Sequence, residues 1–204
     1  MSFYKVVKTA AGFVFKIIYR IEVHGEENIP MDGRLVLCSN HIHNFDPLIL
    51  SIVFPREVSW MAKKQLFKSK TLSSLLKKLG AFPVDREESD LSAIKNALKV
   101  LKKEGVLGMF PEGTRVKEFN LKNAKPGISL ISIKSRSRVL PVYIEGNYKI
   151  FRKIKVYFGK PIDFSKYYDE KLGTEEYSRL SQEILQSIYS NKYKEEGKIG
   201  DNHS

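Results

Sequence analysis

His41 and Asp46 have the chemistry of a base and its partner and stand five positions apart in the stretch LVLCSNHIHNFDPLIL. A carboxylate that accepts a hydrogen bond from one imidazole nitrogen fixes the tautomer and leaves the other nitrogen free to take a proton. Because two residues five positions apart on a continuous helix point roughly 140° away from each other, we predict a bend between the two, with Asn44 in a turn. Such a pair can deprotonate a hydroxyl of the substrate itself. The alternative is that Asp46, which precedes Pro47, only caps a helix.

A metal site is a second interpretation of the same stretch. His41 and His43 form a His-x-His pair beside Asp46, but a zinc site needs three or four protein ligands. The sequence has only two other histidines, His24 and His203, and its one cysteine lies in an apolar run. We therefore predict no metal and expect His43 to pack locally.

Two further polar groups follow later predicted strands. The loop from Pro111 to Arg115, PEGTR, is superficially similar to a nucleotide-binding phosphate loop, but Thr114 and Arg115 occupy the place of Lys-Ser/Thr, which argues against an NTPase. An arginine with free backbone N–H groups can still bind an anion, although an ion pair of Arg115 with Glu112 is the structural alternative. Arg86, in the sequence VDR, is either a second anion-binding residue or an exposed residue at a helix start.

The elements that must position these residues alternate between short β-branched runs and longer helical patterns. This alternation predicts an α/β fold, a central and mostly parallel β-sheet flanked by helices. A chain of 204 residues with 42% hydrophobic content suits one domain. The three polar groups each follow a strand, at the edge where open α/β sheets bind ligands. The predicted strands span residues 20–23, 34–39, 58–62, 81–84, 106–110, 139–144 and 154–158, in a domain of residues 20–194 followed by a polar, disordered tail at 195–204.

Residues 1–19 are predicted to form an amphipathic helix. Its uncharged run, residues 9–15, is far shorter than the ~20 apolar residues that a membrane span requires. The helix could lie in a membrane interface or dock on the core of the domain. Its basic side comprises Lys5, Lys8, Lys16 and Arg20, and its apolar arc comprises Phe3, Val6, Val7, Ala10, Phe13, Val14, Ile17 and Ile18.

The charge of the chain predicts an anionic partner. Lys and Arg total 35 against 23 acidic residues, a formal net charge of +12, which suits phosphate headgroups, an anionic substrate or nucleic acid. A nucleic-acid module needs aromatic side chains interleaved with basic ones, and the closest stretch, NYKIFRKIKVYF, is more simply a strand with basic residues outward. The single Cys38 excludes an intrachain disulfide and is expected to be a packed thiol in a protein from a reducing compartment.

Four blocks together resemble the glycerolipid acyltransferase family, typified by lysophosphatidic acid acyltransferase. They are NHIHNFD at residues 40–46, GAFPVDR at 80–86, FPEGTR at 110–115 and VLPVYIEG at 139–146, in the order that the family has. The segment AKPGISLISIKS between the last two blocks is also similar. One departure is Ile42-His43 after the first histidine, where the family more often has Gln-Ser.

The resemblance implies that His41, held by Asp46, deprotonates the free hydroxyl of a lysophospholipid, which attacks an acyl thioester or acyl phosphate. It implies no acyl-enzyme and no cofactor, with acyl-CoA, acyl-ACP or acyl phosphate as the donor substrate. The residues that it assigns to the acceptor phosphate are Arg86, Glu112, Gly113, Thr114 and Arg115, and Asn40 and Pro141 are supporting residues.

The partners implied are a membrane phospholipid surface, a lysophospholipid acceptor and an acyl donor that could be carried by acyl carrier protein, but no nucleic acid. The expected reaction converts lysophosphatidic acid to phosphatidic acid at the cytoplasmic face of the cell membrane, with the enzyme peripheral or monotopic. The alternatives are another lyso-lipid acceptor, or a non-catalytic basic protein that binds membranes or nucleic acid.

Overall fold

The computed structural model describes residues 3–85, 90–116 and 118–200, with side chains up to Asn191. One sheet of seven strands forms its centre, in the order β1-β7-β6-β2-β5-β3-β4. The strands are β1 (Arg20–His24), β2 (Leu35–Ser39), β3 (Val58–Lys63), β4 (Phe82–Val84), β5 (Val106–Met109), β6 (Arg138–Gly146) and β7 (Lys153–Phe158).

The sheet is mostly parallel. Only β6 and β7 pair in antiparallel fashion among the described strands, so β1 and β7 run opposite to the other five. The loop 147–152 joins β6 to β7 directly and is too short for the crossover that a parallel pair requires. The predicted α/β fold and all seven predicted strands are confirmed.

Helices cover both faces of the sheet. They are α1 (Phe3–Ile18), α2 (Asp46–Val53), α3 (Lys70–Lys78), α4 (Leu91–Lys102), α5 (Gly127–Lys134) and α6 (Thr174–Gly200). Alternate residues of β2 enter two cores: Leu35 and Leu37 pack on the side of α1 and α2, whereas Val36 and Cys38 pack on the side of α4, α5 and α6. The sheet is therefore buried on both faces, as a parallel sheet requires.

The last helix is longer than predicted. We expected a polar, disordered tail at residues 195–204, but α6 continues to Gly200, and residues 201–204 lie outside the described part. The chain from Thr174 to Glu196 has no glycine or proline and is rich in Lys and Glu. Both are good helix formers, and their polarity alone does not end a helix.

The N-terminal helix α1 packs on the domain along one side. The hydroxyl of Tyr4 accepts a hydrogen bond from the backbone N–H of Val58 at 3.1 Å. The helix comes close to α2 at Gly12, where a Cβ atom would lie 3.4 Å from Cγ2 of Ile52. Lys8, predicted on an exposed basic side, is instead half-buried: its ammonium group donates to the carbonyl of Phe54, and burial lowers its pKa.

The other side of α1 is exposed and carries Phe3, Val6, Phe13, Val14 and Ile17. Val7 and Ile18, predicted on the same apolar arc, are half-buried, and Arg20 belongs to β1 because the helix ends at Ile18. The helix thus docks on the domain and still exposes large apolar side chains. Whether this makes it a membrane-associating helix stays a prediction. Within the described ranges, none of the helices combines the length and hydropathy of a membrane-spanning segment.

Candidate active site

His41 and Asp46 meet at the carboxyl end of β2. The chain leaves the sheet after Ser39, bends, and enters α2 at Asp46, which brings the His41 Nδ1 atom within 2.8 Å of Asp46 Oδ2. The same carboxylate oxygen accepts the backbone N–H groups of Ile42 at 2.7 Å and His43 at 2.8 Å. These bonds form the bend that five-residue spacing requires. The histidine is 8% exposed and the aspartate is fully buried.

Asp46 does not cap α2. Its carboxylate turns back to the loop that precedes the helix, and α2 begins without a side-chain cap, with proline in its first turn. The capping alternative for this aspartate is therefore wrong.

Tyr148, in the loop 147–152, completes the shell of Asp46. Its hydroxyl donates to the second carboxylate oxygen, Oδ1, and its ring stacks on His43 with centroids 4.1 Å apart. Burial and the negative charge of Asp46 raise the pKa of Tyr148, so it stays a neutral donor. His43 packs locally, as predicted, and its Nδ1 accepts from the backbone N–H of Phe45 at 3.3 Å.

An aromatic stack covers one face of the base. The ring of His41 lies on Phe110, with centroids 4.0 Å apart, and Phe110 lies on Trp60. With Nδ1 held by Asp46, the ring cannot rotate freely. The other nitrogen, Nε2, makes no hydrogen bond with any described residue and is the position at which a substrate hydroxyl can bind.

The two predicted supporting residues occupy different places. The Asn40 side chain exchanges two hydrogen bonds with the backbone of Ile144 in β6, at 2.9 and 2.7 Å, and so ties the loop to the neighbouring strand. Pro141 lies inside the sheet beside Cys38, and its carbonyl accepts from Gly159 and from Asn191 of α6. These contacts place Pro141 within the sheet, and none of them involves His41.

Glu112 lies below the base. It is 2% exposed; Oε2 accepts the backbone N–H of His41 at 3.1 Å, and Oε1 accepts the hydroxyl of Tyr189 in α6 at 2.8 Å. Burial raises its pKa, against the effect of these two hydrogen bonds. Each oxygen accepts from a protein donor, and a carboxylate repels a phosphate, so these contacts indicate a role in holding the loop; the predicted phosphate-binding role stays a prediction. Its alternative, an ion pair with Arg115, is not formed.

The rest of this loop lies at the surface. Gly113 has a left-handed backbone with φ 66°, and its N–H donates to the carbonyl of Phe110, so the free N–H expected there is occupied. Thr114 and Arg115 are exposed. The backbone N–H of Val116 donates to the carbonyl of His41 at 3.0 Å, which holds this loop across the base.

Two cations border the loop. Arg115 forms no hydrogen bond or ion pair within the described part of the chain, so its guanidinium is available to a ligand. The aliphatic part of Lys125 runs beside Gly113, where a Cβ atom would lie 3.6 Å from its Cγ. Lys125 was not predicted, although it lies in the segment AKPG that resembles the family. Arg86, the other predicted phosphate ligand, lies outside the described residues.

Competing chemistries find less support. No three His, Cys, Asp or Glu side chains of residues 3–85, 90–116 and 118–191 are grouped to hold a metal ion. Cys38 is buried, as predicted, and burial raises the pKa of its thiol well above the usual value, which disfavours the nucleophilic thiolate.

The β7 part of the stretch considered for nucleic-acid binding does not form a stacking platform. In β7, Lys153 pairs with Glu22 at 2.6 Å and Lys155 lies 4.0 Å from Glu145. The ring of Tyr157 stacks on His24. These partners occupy the cations and the aromatic ring of β7 that single strands would need, whereas Lys149, Phe151 and Arg152 of the same stretch are exposed.

Comparison with known proteins places these features in a wider group. Residues 20–145, which contain β1 to β5, all of β6 but its last residue, and both dyad residues, match the model of a family described as Acyltransferase. A 1-acyl-sn-glycerol-3-phosphate acyltransferase of Bacillus subtilis (strain 168) is 33% identical over 165 residues, covering 78% of this chain and 82% of the relative. An enzyme of the same name from Streptococcus pneumoniae is 33% identical over 196 residues, covering 86% of this chain and 73% of the relative.

A solved structure has the same fold. The crystal structure of the 1-acyl-sn-glycerophosphate (LPA) acyltransferase PlsC from Thermotoga maritima superimposes with a TM-score of 0.71 at 22% identity. The match covers 94% of this chain and 79% of that one.

Proposed function

This chain belongs to the acyltransferase family, and from that premise we propose that it transfers a fatty acyl group to the free hydroxyl of 1-acyl-sn-glycerol-3-phosphate, which forms phosphatidic acid for phospholipid synthesis. The observation that carries the proposal is the His41 ring, fixed by Asp46 through Nδ1 and with Nε2 unoccupied at the ligand-binding edge of the sheet. The names of the relatives support the choice of acceptor.

The reaction follows from this geometry. Nε2 of His41 takes the proton of the acceptor hydroxyl as its oxygen attacks the acyl carbonyl carbon of the donor. The tetrahedral intermediate collapses, the bond from the acyl carbon to the leaving group breaks, and the leaving group takes the proton from the imidazolium. Asp46 stabilises the imidazolium without being protonated itself. The acyl group passes directly to the acceptor, with no acyl-enzyme.

The surroundings of the dyad limit its movement. Asp46 is held by two backbone N–H groups and by Tyr148, and His41 is held by Phe110 on its face and by Glu112 at its backbone. A base that is already oriented does not lose conformational entropy when the acceptor hydroxyl arrives.

The acceptor phosphate binds at the rim formed by Thr114 and Arg115. An arginine can bind phosphate through two parallel hydrogen bonds, and Lys125 adds a second positive charge beside Gly113. Arg86 is proposed as a further phosphate ligand from its sequence alone. Glu112 and Gly113 shape the loop and do not contact the phosphate.

The donor is an acyl thioester or acyl phosphate, and no metal or cofactor takes part. Acyl carrier protein, as carrier of the donor, is the proposed protein partner, and the positive charge of the chain suits an acidic carrier. The experiment for this part is chelation: treatment with EDTA leaves turnover unchanged, and recovery by added zinc would contradict it.

The enzyme acts at the cytoplasmic face of the membrane as a peripheral or monotopic protein. The exposed side of α1, with Phe13, Val14 and Ile17, suits the boundary between headgroups and acyl chains, and Lys5 and Lys16 on the same helix suit anionic lipid. Both the acceptor and the product are lipids that reside there.

The decisive experiment is mass spectrometry of the lipids formed by the purified protein. The protein is incubated with a panel of lysolipids, each with acyl-CoA, acyl-ACP or acyl phosphate. The proposal expects phosphatidic acid from 1-acyl-sn-glycerol-3-phosphate as the main product. A higher rate with a lysolipid that lacks the phosphomonoester would redirect the proposal to another acceptor, and no product from any pair would favour a non-catalytic lipid-binding protein.

A further inference from the structure

The loop 147–152 between β6 and β7 has a face that the proposed reaction does not use. Two adjacent apolar side chains form its tip, Ile150 at 66% exposure and Phe151 at 72%. Phe151 has φ 62°, in the left-handed region that bulky residues rarely adopt. The chain thus holds an aromatic ring outward, on a backbone conformation that a smaller polar residue would adopt more easily.

Basic residues frame this tip. Lys149 precedes it and Arg152 follows it, both exposed, and no acidic residue occurs between Asn147 and Lys153. Two apolar side chains between two cations match a surface that is apolar at depth and anionic at its boundary.

The loop is continuous with the exposed side of α1. The backbone N–H of Phe151 donates to the carbonyl of Ile18, the last residue of α1, at 2.7 Å, and the ring of Tyr19 lies against Tyr148. Phe45, also exposed, packs edge-on against Phe15 of the same helix. The tip therefore adjoins the end of α1 that carries Phe13, Val14 and Ile17.

We infer that the loop 147–152 is a second membrane-contacting element, which inserts Ile150 and Phe151 into an anionic lipid surface while Lys149 and Arg152 bind its headgroups. The inference rests on the membrane association proposed above and names a further site for it. A lipid surface fits better than a second copy of this chain, because cations frame the tip and a net charge of +12 opposes self-association.

The loop also determines how close the His41–Asp46 pair lies to the lipid surface. Its residue Tyr148 donates to Asp46, only two positions before Ile150. A bilayer that receives the tip therefore lies directly beside the dyad, and an acceptor can reach the base without leaving the lipid surface completely.

The test uses tryptophan fluorescence of the full chain, which has one tryptophan, the buried Trp60. Phe151→Trp is compared with Met31→Trp, a comparably exposed position (67% against 72%) four residues before β2, on the opposite edge of the sheet. The wild-type signal is subtracted from both. The vesicles contain phosphatidylglycerol or phosphatidylcholine, with and without brominated acyl chains, and flotation reports binding separately.

We expect phosphatidylglycerol vesicles to shift the emission of the new tryptophan at position 151 to shorter wavelength, and bromolipids to quench it, with neither effect at position 31. If the protein floats with the vesicles but position 151 behaves like position 31, the loop inference is overturned and membrane association through α1 stands. If the protein does not float with any vesicle, both the loop inference and the proposed membrane association through α1 are overturned. A blue shift that follows protein concentration without lipid, together with a dimer in sedimentation, would assign the tip to self-association and overturn the inference.

A second variant measures the contribution of the tip. Ile150→Ser with Phe151→Asn keeps the left-handed position favourable, because asparagine adopts it readily. Its apparent affinity for phosphatidylglycerol vesicles should fall by about tenfold or more, whereas Met31→Ser should not change it. Equal affinity of the loop variant and the wild type, with equal melting temperatures, would overturn the inference. The acyl transfer reaction is tested independently with detergent-dispersed substrates.

Discussion

The two halves of the candidate site are built differently although they lie at the same edge of the sheet. The half that contains His41 and Asp46 is buried, and almost every polar atom in it has a protein partner. The half that contains Thr114 and Arg115 is exposed, and Arg115 has no partner among the described residues. The base is therefore oriented before substrate arrives, whereas the phosphate site is completed by the phosphate itself.

The largest expected effect comes from removing the oriented base. His41→Ala should lower turnover by about 10²–10⁴-fold, because general base catalysis is lost, with the fold intact by circular dichroism. His43→Ala is the matched control, since this histidine stacks on Tyr148 outside the dyad, and it should cost far less. Equal losses in steady-state assays of the two variants would contradict the assignment of the base.

For the exposed half, which contains Thr114 and Arg115, we expect a smaller loss of activity that concerns the acceptor substrate alone. Loss of one partner of a charge-assisted pair costs about 2–5 kcal/mol, so Arg115→Ala should lower kcat/KM for the phosphate-bearing acceptor by roughly thirtyfold or more. Arg115→Lys should restore only part of this kcat/KM, because an ammonium group keeps the positive charge but cannot form the two parallel hydrogen bonds.

Two controls belong to that measurement. The KM for the acyl donor and the melting temperature should both stay near wild type, because Arg115 is exposed and pairs with no described residue. If Arg115→Ala unfolds the protein, or raises the KM for the donor as much as the KM for the acceptor, Arg115 is a structural residue. The contrast between the two halves of the site would then be lost.

The third prediction concerns Tyr148. Tyr148→Phe removes one of the hydrogen bonds that fix the Asp46 carboxylate. The imidazole is then held less firmly in the orientation for proton transfer, so kcat should fall by roughly tenfold while both KM values change little.

Tyr19→Phe is its matched control. The Tyr19 hydroxyl donates to the carbonyl of Tyr148 over a long 3.3 Å and does not reach Asp46. It should leave kcat unchanged. A wild-type kcat in Tyr148→Phe would reduce this tyrosine to a packing residue.

The smallest effect is expected for Glu112→Gln. Its oxygen can accept the N–H of His41, and its amide can donate to the hydroxyl of Tyr189, so the acceptor KM should change less than about twofold. A large rise in the acceptor KM would instead make Glu112 a substrate ligand, as its position in the motif first suggested.

The same variant has a pH signature in stability. Burial raises the pKa of Glu112 above its ordinary value of 4.5. Its contribution thus favours the folded protein fully below pH 4.5 and is lost as pH rises through the raised pKa. Denaturant titrations at several pH values should show this decline in the wild type and its absence in the glutamine variant.

The sequence predicted some contacts of the site and not others. The contact of His41 with Asp46 was predictable because both residues lie on one short loop whose bend is set by local hydrogen bonds. Tyr148 and Tyr189 were not predictable, because they lie 102 and 77 positions from the carboxylates that they hold. A single tyrosine at such a distance belongs to no motif, and only the order of the strands brings it to the site.

Burial was the second limit. The motif FPEGTR marks Glu112 and Arg115 as equally suitable for a site, but one carboxylate points into the domain and the guanidinium points to solvent. The same holds for α1, whose apolar arc is too wide to show which side docks. Strands and fold class, in contrast, depend on patterns that repeat over many residues and were predicted correctly.

The central claim is that the acceptor's own hydroxyl, activated by His41, receives the acyl group directly. The most direct test mixes a stoichiometric amount of protein with the acyl donor alone, and then adds 1-acyl-sn-glycerol-3-phosphate. Mass spectrometry follows the intact protein and the lipids at each step. The account predicts an unmodified protein mass before the addition and phosphatidic acid only after it. An acyl adduct on the protein that decays as phosphatidic acid forms would contradict it, as would the absence of phosphatidic acid.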